Sequence, residues 1–379
     1  MRFSSRAPWD AGLNRLSIAL AERRHRGEEI LDLTISNPTA AGIDYPSEGI
    51  AEAFAWASAI PYRPAPLGLP AARETVAEEL GCDADDIIIT ASTSEAYSYL
   101  FKLLMNAGDE VVSAVPSYPL LEHLASLEGV LLRTFPLDLH QRWEVDPGRL
   151  RTAVSDRTAA CVLVNPNNPL GVYATPAEQD ILAAIGVPVV ADEVFFEYPL
   201  SDVEPRRVIR EDILCFSLGG LSKSCGMPHY KLGWMRLSGP RSDVDRARAG
   251  LELIADQYLS VSTPVQEALP DLLRLGAQVR EEIQRRIGEN YHCLRETAAG
   301  AGPARLLPVE GGWSAVIRVP AVEHDDDLVL RLLGRGVLVQ PGYFFDFERD
   351  GYLVISLLTP PEVFAKGVAR LLAAIAEDA

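Results

Sequence analysis

Short apolar runs alternate with stretches of helical periodicity from the start of the chain to about residue 300. The apolar runs predict strands at 30–35, 87–89, 110–115, 130–135, 159–164, 188–191, 213–216 and 232–237. The stretches between them predict helices at 14–26, 70–80, 94–106, 119–127, 176–184, 243–255 and 263–299. Strands that are apolar throughout and separated by helices are typical of a mainly parallel sheet covered on both faces. We therefore expect an α/β fold that binds its ligands at the carboxyl ends of the strands.

The pattern changes after residue 300, where strands and helices mix without strict alternation. Strands are predicted at 314–318, 337–339 and 352–356, and helices at 326–333 and 361–376. A chain of 379 residues is longer than one hydrophobic core usually serves. We predict a large domain over residues 46–270 and a smaller α+β domain that combines residues 1–45 with residues 271–379. Gly276 is a possible break in the predicted helix 263–299.

Charge and composition narrow the classes of function. The chain has 35 Lys and Arg residues against 53 Asp and Glu residues, a formal net charge of −18. This excess of negative charge argues against nucleic acid or an anionic membrane as the main partner. No apolar run approaches the roughly 18 residues of a membrane span, and the first ten residues lack the apolar core of a signal peptide. Because the 5 cysteines are odd in number and widely spread, we expect reduced thiols in the cytoplasm.

Four features with possible chemistry follow predicted strands. Thr90 to Glu95 is a hydroxyl-rich loop before a helix, suited either to an anion or to a plain helix cap. Asn165 to Gly171 contains two Asn-Pro pairs, which indicate a rigid turn in which one bond is cis. Asp192 needs a cationic partner or hydrogen-bond donors if it is buried. Lys223 lies among glycine and hydroxyl residues. It is either a solvated loop lysine or a chemically active amine.

These features together suit one ligand. The loop can bind a phosphate, and the amide can bind a phenolic oxygen. The isolated carboxylate can pair with a basic ring nitrogen, and the lysine can react with an aldehyde. A metal site is a weaker interpretation, because no histidine cluster or second acid-rich loop accompanies Asp192, and the acidic run 323–327 is expected at a helix N-terminus. The combination predicts pyridoxal 5'-phosphate as the cofactor and no metal.

The order of these motifs resembles that of a known family. The asparagine turn, the Asp192-Glu193 pair and the Ser222-Lys223 motif are similar to those of fold-type I pyridoxal-phosphate enzymes, the class I/II aminotransferases. The resemblance extends from about residue 30 to about residue 375. It implies a mainly parallel sheet of the seven-stranded type, flanked by helices, and a homodimer with shared active sites.

The resemblance also implies roles for individual residues. Lys223 would form the Schiff base with the cofactor and move a proton on the substrate, and Asp192 would pair with the ring nitrogen. Asn168 would hydrogen-bond to the phenolic oxygen, and Tyr118 would stack on the ring. The phosphate group would be held by four further residues: Thr93, Ser94, Ser222 and Lys231.

Two more segments match positions of the family. Tyr62 matches a tyrosine that reaches the phosphate group of the neighbouring subunit, which implies a homodimer. Ser36 and Asn37 match the segment that borders the substrate carboxylate.

Four positions depart from the pattern of the family. Lys231 stands where arginine is usual, Phe195 where a tyrosine usually donates to the phenolic oxygen, and Gly220 where serine is frequent. The largest departure is Val354, because the family has an arginine there that binds the substrate α-carboxylate. Either another cation replaces it, or the substrate is not a standard α-amino acid bound in the standard way. The candidate cations are Arg6, Arg63 and Arg318.

The resemblance favours transamination between an amino acid, or a related amine, and a keto acid. A β-lyase or decarboxylase on the same fold is the first alternative. A catalytically altered cofactor-binding protein or regulator is less favoured, because no DNA-binding helix-turn-helix precedes the core. The chain also lacks G-x-G-x-x-G after a strand and a P-loop, which argues against a nucleotide-binding enzyme.

Overall fold

A computed structural model describes residues 4–6, 12–57, 60–140, 142–200, 203–300 and 302–377. Most of the first ten residues, on which the expectation of no signal peptide rests, lie outside this described part. Within it, no helix combines the length and the apolar composition needed to cross a membrane.

The helices agree with the predicted ones to within a few residues where both exist. Most have a proline at one of their first two positions or begin after a capping side chain, as in α4, where the Ser92 side chain accepts a hydrogen bond from the Glu95 backbone at 3.2 Å. The helices are α1 Arg15–His25, α2 Ser47–Ala57, α3 Pro70–Leu80, α4 Thr93–Leu104, α5 Leu120–Glu128, α6 Pro147–Ala153, α7 Pro176–Ala183, α8 Leu221–Ser224, α9 Arg241–Asp256, α10 Thr263–Glu267, α11 Leu269–Ala298, α12 Asp325–Gly334 and α13 Pro361–Glu377.

The strands form two larger sheets and two short pairs. They are β1 Leu31–Asp32, β2 Ile87–Thr90, β3 Glu110–Val115, β4 Leu131–Pro136, β5 Asp138–Leu139, β6 Trp143–Glu144, β7 Thr158–Val164, β8 Val189–Asp192, β9 Cys215–Gly220, β10 Gly233–Ser238, β11 Arg305–Leu306, β12 Ser314–Arg318, β13 Val337–Leu338, β14 Gln340–Pro341 and β15 Tyr352–Ser356. β5 pairs with β6, and β1 pairs in parallel with β13.

The large sheet has seven strands in the order β2-β10-β9-β8-β7-β3-β4. β10 is antiparallel to both neighbours, and the remaining pairs are parallel. Its central strands are apolar and buried because helices cover both faces, as in a cluster that joins α4 and α9 to one face. The α/β prediction is therefore confirmed. The carboxyl ends of β2, β3, β7, β8 and β9 lie along one edge.

A second sheet has four antiparallel strands in the order β11-β12-β15-β14. Side chains alternate between its two faces. One face contributes Ala315, Ile317 and Leu353 to the core under α11 and α13. The other face contributes Val316 and Val354 to a cluster shared with β3 and β7 of the large sheet.

The predicted helix 263–299 is interrupted at a different place from the expected one. The break is at Ala268, between α10 and α11, and Gly276 lies buried inside the continuous α11. A β-carbon at Gly276 would lie 2.5 Å from the Cβ and Sγ atoms of Cys225. The prediction of a break at Gly276 is wrong, because the glycine permits close packing against the segment that follows α8.

Candidate active site

A cavity of about 370 Å³ lies at the carboxyl edge of the large sheet, between this edge and the four-stranded sheet. It contains most of the residues that the sequence analysis identified. Those that line it are Ser36, Thr93, Ser94, Tyr118, Asn168, Asp192, Ser222, Lys223 and Lys231. The strand ends thus bring together side chains that are up to about 200 positions apart in the sequence, as expected for an open α/β sheet.

Lys223 lies in α8, the short helix that follows β9. Its Nζ atom is 5.4 Å from the ring centroid of Phe195 and 5.0 Å from that of Trp313. Burial lowers the pKa of Lys223, and the Asp192 carboxylate partly opposes this shift. The Tyr198 hydroxyl donates to the Lys223 backbone carbonyl at 2.6 Å, which fixes the helix below the amine. The site therefore holds an amine that loses its proton more easily than a surface lysine.

Asp192 is the last residue of β8. One carboxylate oxygen accepts a hydrogen bond from the Tyr97 hydroxyl at 3.0 Å, and the other accepts one from the Val194 backbone at 3.2 Å. Burial raises the pKa of Asp192, while these two donors and the charge of Lys223 counteract the shift. Tyr97 was not identified from the sequence. Its position one helical turn after Thr93 could have indicated a shared face.

The N-terminus of α4 opens into a cavity that is also lined by hydroxyl groups and a lysine. Thr93 and Ser94 form its first turn, where unpaired backbone N–H groups and the helix dipole favour an anion. Ser222 and Lys231 line the same cavity, and Lys231 has a left-handed backbone with φ of 49°. A β-carbon at Gly220 would lie 2.9 Å from the Gly233 Cα atom of β10, which explains why serine does not occupy this position.

The turn from Asn165 to Gly171 follows β7, and its asparagine side chains form hydrogen bonds to neighbouring segments. Both Asn-Pro bonds, at Pro166 and Pro169, are cis. The Asn165 side chain donates to Glu193 at 3.0 Å, and the Asn167 side chain donates to the Pro116 carbonyl at 3.2 Å. Asn168 lines the cavity and accepts a hydrogen bond from the Ser314 hydroxyl at 3.3 Å.

Aromatic rings form part of the cavity wall. Phe195 and Trp313 meet edge to face with centroids 5.1 Å apart. Tyr118 lines the cavity and is 52% exposed. Trp313 was not identified from the sequence, and nothing in its surroundings there distinguishes it from a core tryptophan.

Val354 is 1% exposed and belongs to the apolar cluster between the two sheets. It pairs with Val316 on one side and with Gln340 on the other. Gln340 lines the cavity and was not identified from the sequence. A valine at position 354 is therefore well packed and carries no group that could bind a carboxylate.

None of the three arginines considered as replacements for the missing cation lines the cavity. Arg6 donates to the Leu127 carbonyl at 3.2 Å, and Arg63 lines a separate cleft. Arg318 is exposed on β12, opposite Arg305 and Tyr352. Among the described residues, the cationic side chains that line the cavity are those of Lys223 and Lys231.

Two of the predicted residues lie away from the cavity lining. The Asn37 side chain accepts hydrogen bonds from the backbone and hydroxyl of Thr39. Tyr62 is 69% exposed and lies beside the same separate cleft as Arg63. Its ring is available on the surface of this subunit.

The donor groups of the cavity fit pyridoxal phosphate. A buried amine of lowered pKa suits the aldehyde, and a carboxylate held by two donors suits the ring nitrogen. The N-terminus of α4, with its hydroxyls and Lys231, suits the phosphate group. The metal interpretation gains no support, because the described residues contain no group of three or more His, Cys, Asp or Glu side chains that could hold an ion.

Known proteins are similar to this chain in sequence. The family model described as aminotransferase class I and II matches residues 28–371. Tyrosine aminotransferase of Mus musculus is 30% identical over 360 residues, 88% of this chain and 78% of that protein. Alanine aminotransferase of Mycobacterium tuberculosis is 26% identical over 377 residues, 91% of this chain and 85% of that protein.

Solved structures agree with the fold. Alanine aminotransferase from Pyrococcus furiosus superposes with a TM-score of 0.89 at 23% identity, covering 99% of this chain and 100% of that one. Aspartate aminotransferase from Thermus thermophilus with maleate superposes with a TM-score of 0.83 at 23% identity, with coverages of 99% and 100%. At these identities the structures establish the fold, and the family match over most of the sequence goes further: this chain belongs to the aminotransferase class I and II family, whose members are pyridoxal-phosphate-dependent enzymes.

Proposed function

We propose that this aminotransferase uses pyridoxal 5'-phosphate, held through Lys223, to move an amino group between an amino acid, or a related amine, and a keto acid. One observation carries the proposal. The Lys223 amine lies in a cavity whose walls also hold the Asp192 carboxylate and the N-terminus of α4.

When bound, pyridoxal phosphate supplies an aldehyde carbon that takes up amines and a protonated ring that stabilises negative charge on the substrate carbon. Lys223 would hold that carbon covalently through Nζ. With a substrate amine bound, the Nζ atom would accept a proton from the substrate carbon. The lowered pKa of Lys223 favours this role, because the amine must be unprotonated to accept a proton.

The other wall residues orient the cofactor. Asp192 would hold a proton at the ring nitrogen, and Tyr97 would keep the carboxylate in place and ionised. Asn168 would hydrogen-bond to the phenolic oxygen, and Tyr118 would stack on the ring.

The phosphate group would lie at the start of α4. Thr93, Ser94 and Ser222 offer hydroxyl donors, and Lys231 offers a point charge in place of the planar fork of an arginine. Phe195 offers no hydroxyl to the phenolic oxygen and leaves that contact to Asn168.

We further propose a large domain at 46–270 and a small domain formed by 1–45 with 271–379. The pairing of β1 with β13 supports this division, because it joins the N-terminal segment to the C-terminal part. A homodimer in the cytoplasm is proposed, in which Tyr62 reaches the partner's phosphate group and Ser36 and Asn37 border the substrate. The unpaired cysteines are consistent with a reducing compartment.

Borohydride reduction of the holoenzyme followed by peptide mapping tests the role of Lys223. The cofactor mass is expected on the peptide that contains Lys223 in the wild type and absent in Lys223→Ala. Transamination should fall by roughly 10²–10⁴-fold in this variant. Lys366→Ala, a substitution on α13 away from the cavity, serves as the control and should keep both properties.

Labelling of another lysine would overturn the assignment.

The spectrum during turnover separates the alternative reactions. A transaminase leaves the cofactor in its amine form when no keto acid is present, whereas a lyase or decarboxylase returns it to the aldehyde form bound to lysine.

A further inference from the structure

The part of the cavity formed by the four-stranded sheet is polar but uncharged. Ser314 of β12, Ser356 of β15 and Gln340 of β14 all line it. Ser314 pairs with Ser356, and Gln340 pairs with Val354. Because side chains alternate along a strand, these residues share one face of the sheet, the face turned towards Asn168 and Lys223.

Of these three polar side chains, Gln340 is free to bind a ligand. The Ser356 hydroxyl donates to the Ile35 carbonyl and accepts from the Leu358 backbone. The Ser314 hydroxyl donates to Asn168. The described part of the chain provides no hydrogen-bond partner for the half-buried side-chain amide of Gln340.

No cation accompanies Gln340 at this end among the described residues. Lys231 precedes Gly233, whose position beside Ser92 places this segment at the start of α4. Lys223 is engaged by the reaction itself. A carboxylate at the Gln340 end would therefore be removed from water without an ion-pair partner, which is costly.

Another part of the cavity wall is apolar. Leu120, Leu121 and Leu124 of α5 line the cavity together with Tyr118. The spacing of these leucines places them on neighbouring positions of one helix face. They offer a surface for an apolar substrate side chain.

We propose that the substrates are amines with an apolar side chain whose head group, next to the reacting carbon, is held by the Gln340 amide instead of an ion pair. The inference rests on the proposed function. A glutamine amide offers two donors and one acceptor, which complement a carboxamide fully and a carboxylate in part. A neutral head group therefore binds about as well as a charged one, and keto acids remain acceptable through the two donors.

Binding of an unreactive isosteric pair tests the head-group preference. Calorimetry on the holoenzyme with 4-methylpentanoate and 4-methylpentanamide should give dissociation constants within about tenfold of each other, because the uncharged Gln340 amide offers the carboxylate no ion pair to offset its cost of desolvation. In Gln340→Arg the carboxylate should bind at least about tenfold more tightly than the amide, because a planar guanidinium binds it with two charged hydrogen bonds. Gln340→Leu should weaken the binding of 4-methylpentanamide by roughly tenfold. Gln278→Arg, the same substitution at an exposed position of α11, should change nothing.

A wild-type preference for the carboxylate above about a hundredfold that persists in Gln340→Leu would overturn the proposal, because it requires a cation from elsewhere, such as the partner subunit. Absence of binding by either compound would overturn it as well, because the apolar wall would then have no ligand. The half-reaction with L-leucine and L-leucinamide, followed by the cofactor spectrum, is the separate test of function. If neither converts the cofactor, transamination of such amines fails while the binding ratio still decides the role of Gln340.

Discussion

The hydrogen bond from Tyr97 to Asp192 connects a buried phenol to the carboxylate that would face the cofactor ring. Burial raises the pKa of Asp192, and the Tyr97 hydroxyl favours the ionised form. In Tyr97→Phe the pKa of Asp192 should rise further. As the pH falls, Asp192 should then take up its proton at a higher pH than in the wild type. We expect kcat/KM to fall by roughly tenfold or more, as is typical for a hydrogen bond to a charged group, with the acidic limb of its pH profile moved to higher pH.

Tyr173→Phe is the matched control, because its hydroxyl donates at 2.9 Å to the Phe196 carbonyl outside the cavity lining. It should leave the acidic limb in place. Identical pH profiles for the two variants would show that Tyr97 acts only through packing.

Sequence and structure agree best for residues whose position follows from a strand end. Lys223, Asp192 and Thr93 could be placed near one another because each lies at or just after the end of a strand of the same sheet. Trp313 and Gln340 could not, since they reach the cavity through the packing of a second sheet whose docking no local pattern encodes. The role of each residue remains a prediction for the experiments above.

At the scale of elements, Gly276 of α11 packs closely against the Cys225 side chain. Alanine normally stabilises a helix relative to glycine by up to about 1 kcal/mol. In Gly276→Ala the new methyl group would lie 2.5 Å from Cys225, two residues from Lys223. We expect the free energy of unfolding to fall by about 1–3 kcal/mol, the usual cost of overpacking.

Gly288→Ala on the same helix is the control, because no atom lies within 4 Å of its β-carbon position. It should raise the free energy of unfolding by up to about 1 kcal/mol. Guanidinium unfolding of both variants measures the difference. Equal effects would mean that α11 can move away from α8 at little cost.

The same glycine shows why some elements could be predicted and others not. Continuous apolar runs fixed the strands of the large sheet to within a few residues, because burial on both faces leaves little choice of residue. α2, α6 and the short α8 were not predicted, and the break that lies at Ala268 was predicted at Gly276. α2 packs on α10 and α11, so its stability comes from tertiary contacts that outweigh local propensity.

At the scale of the whole molecule, the exposed position of Tyr62 leads to a prediction about the homodimer. If Tyr62 acts on the partner's phosphate group, a heterodimer of Tyr62→Ala and Lys223→Ala subunits contains one site with both residues intact. Mixing the two variants under conditions of subunit exchange should restore roughly a quarter of the wild-type activity, since half of the dimers are then mixed and each has one working site of two. Activity assays before and after exchange measure this.

Lys223→Ala mixed with the double variant Tyr62→Ala/Lys223→Ala is the control and should recover nothing, because every site lacks the amine. Failure of the first mixture to exceed the average of its parents would show that Tyr62 serves its own subunit or no site.

The cavity is built from two sheets that contribute different kinds of groups. The edge of the large sheet carries Lys223, Asp192 and Asn168, while β12, β14 and β15 carry Ser314, Gln340 and Ser356, which line the same cavity. We therefore expect changes to the second set to alter which amine is accepted and to leave Lys223 and Asp192 in place. A laboratory search for new amine products should accordingly randomise these three short strands. We expect the substitutions selected for a new substrate to fall there.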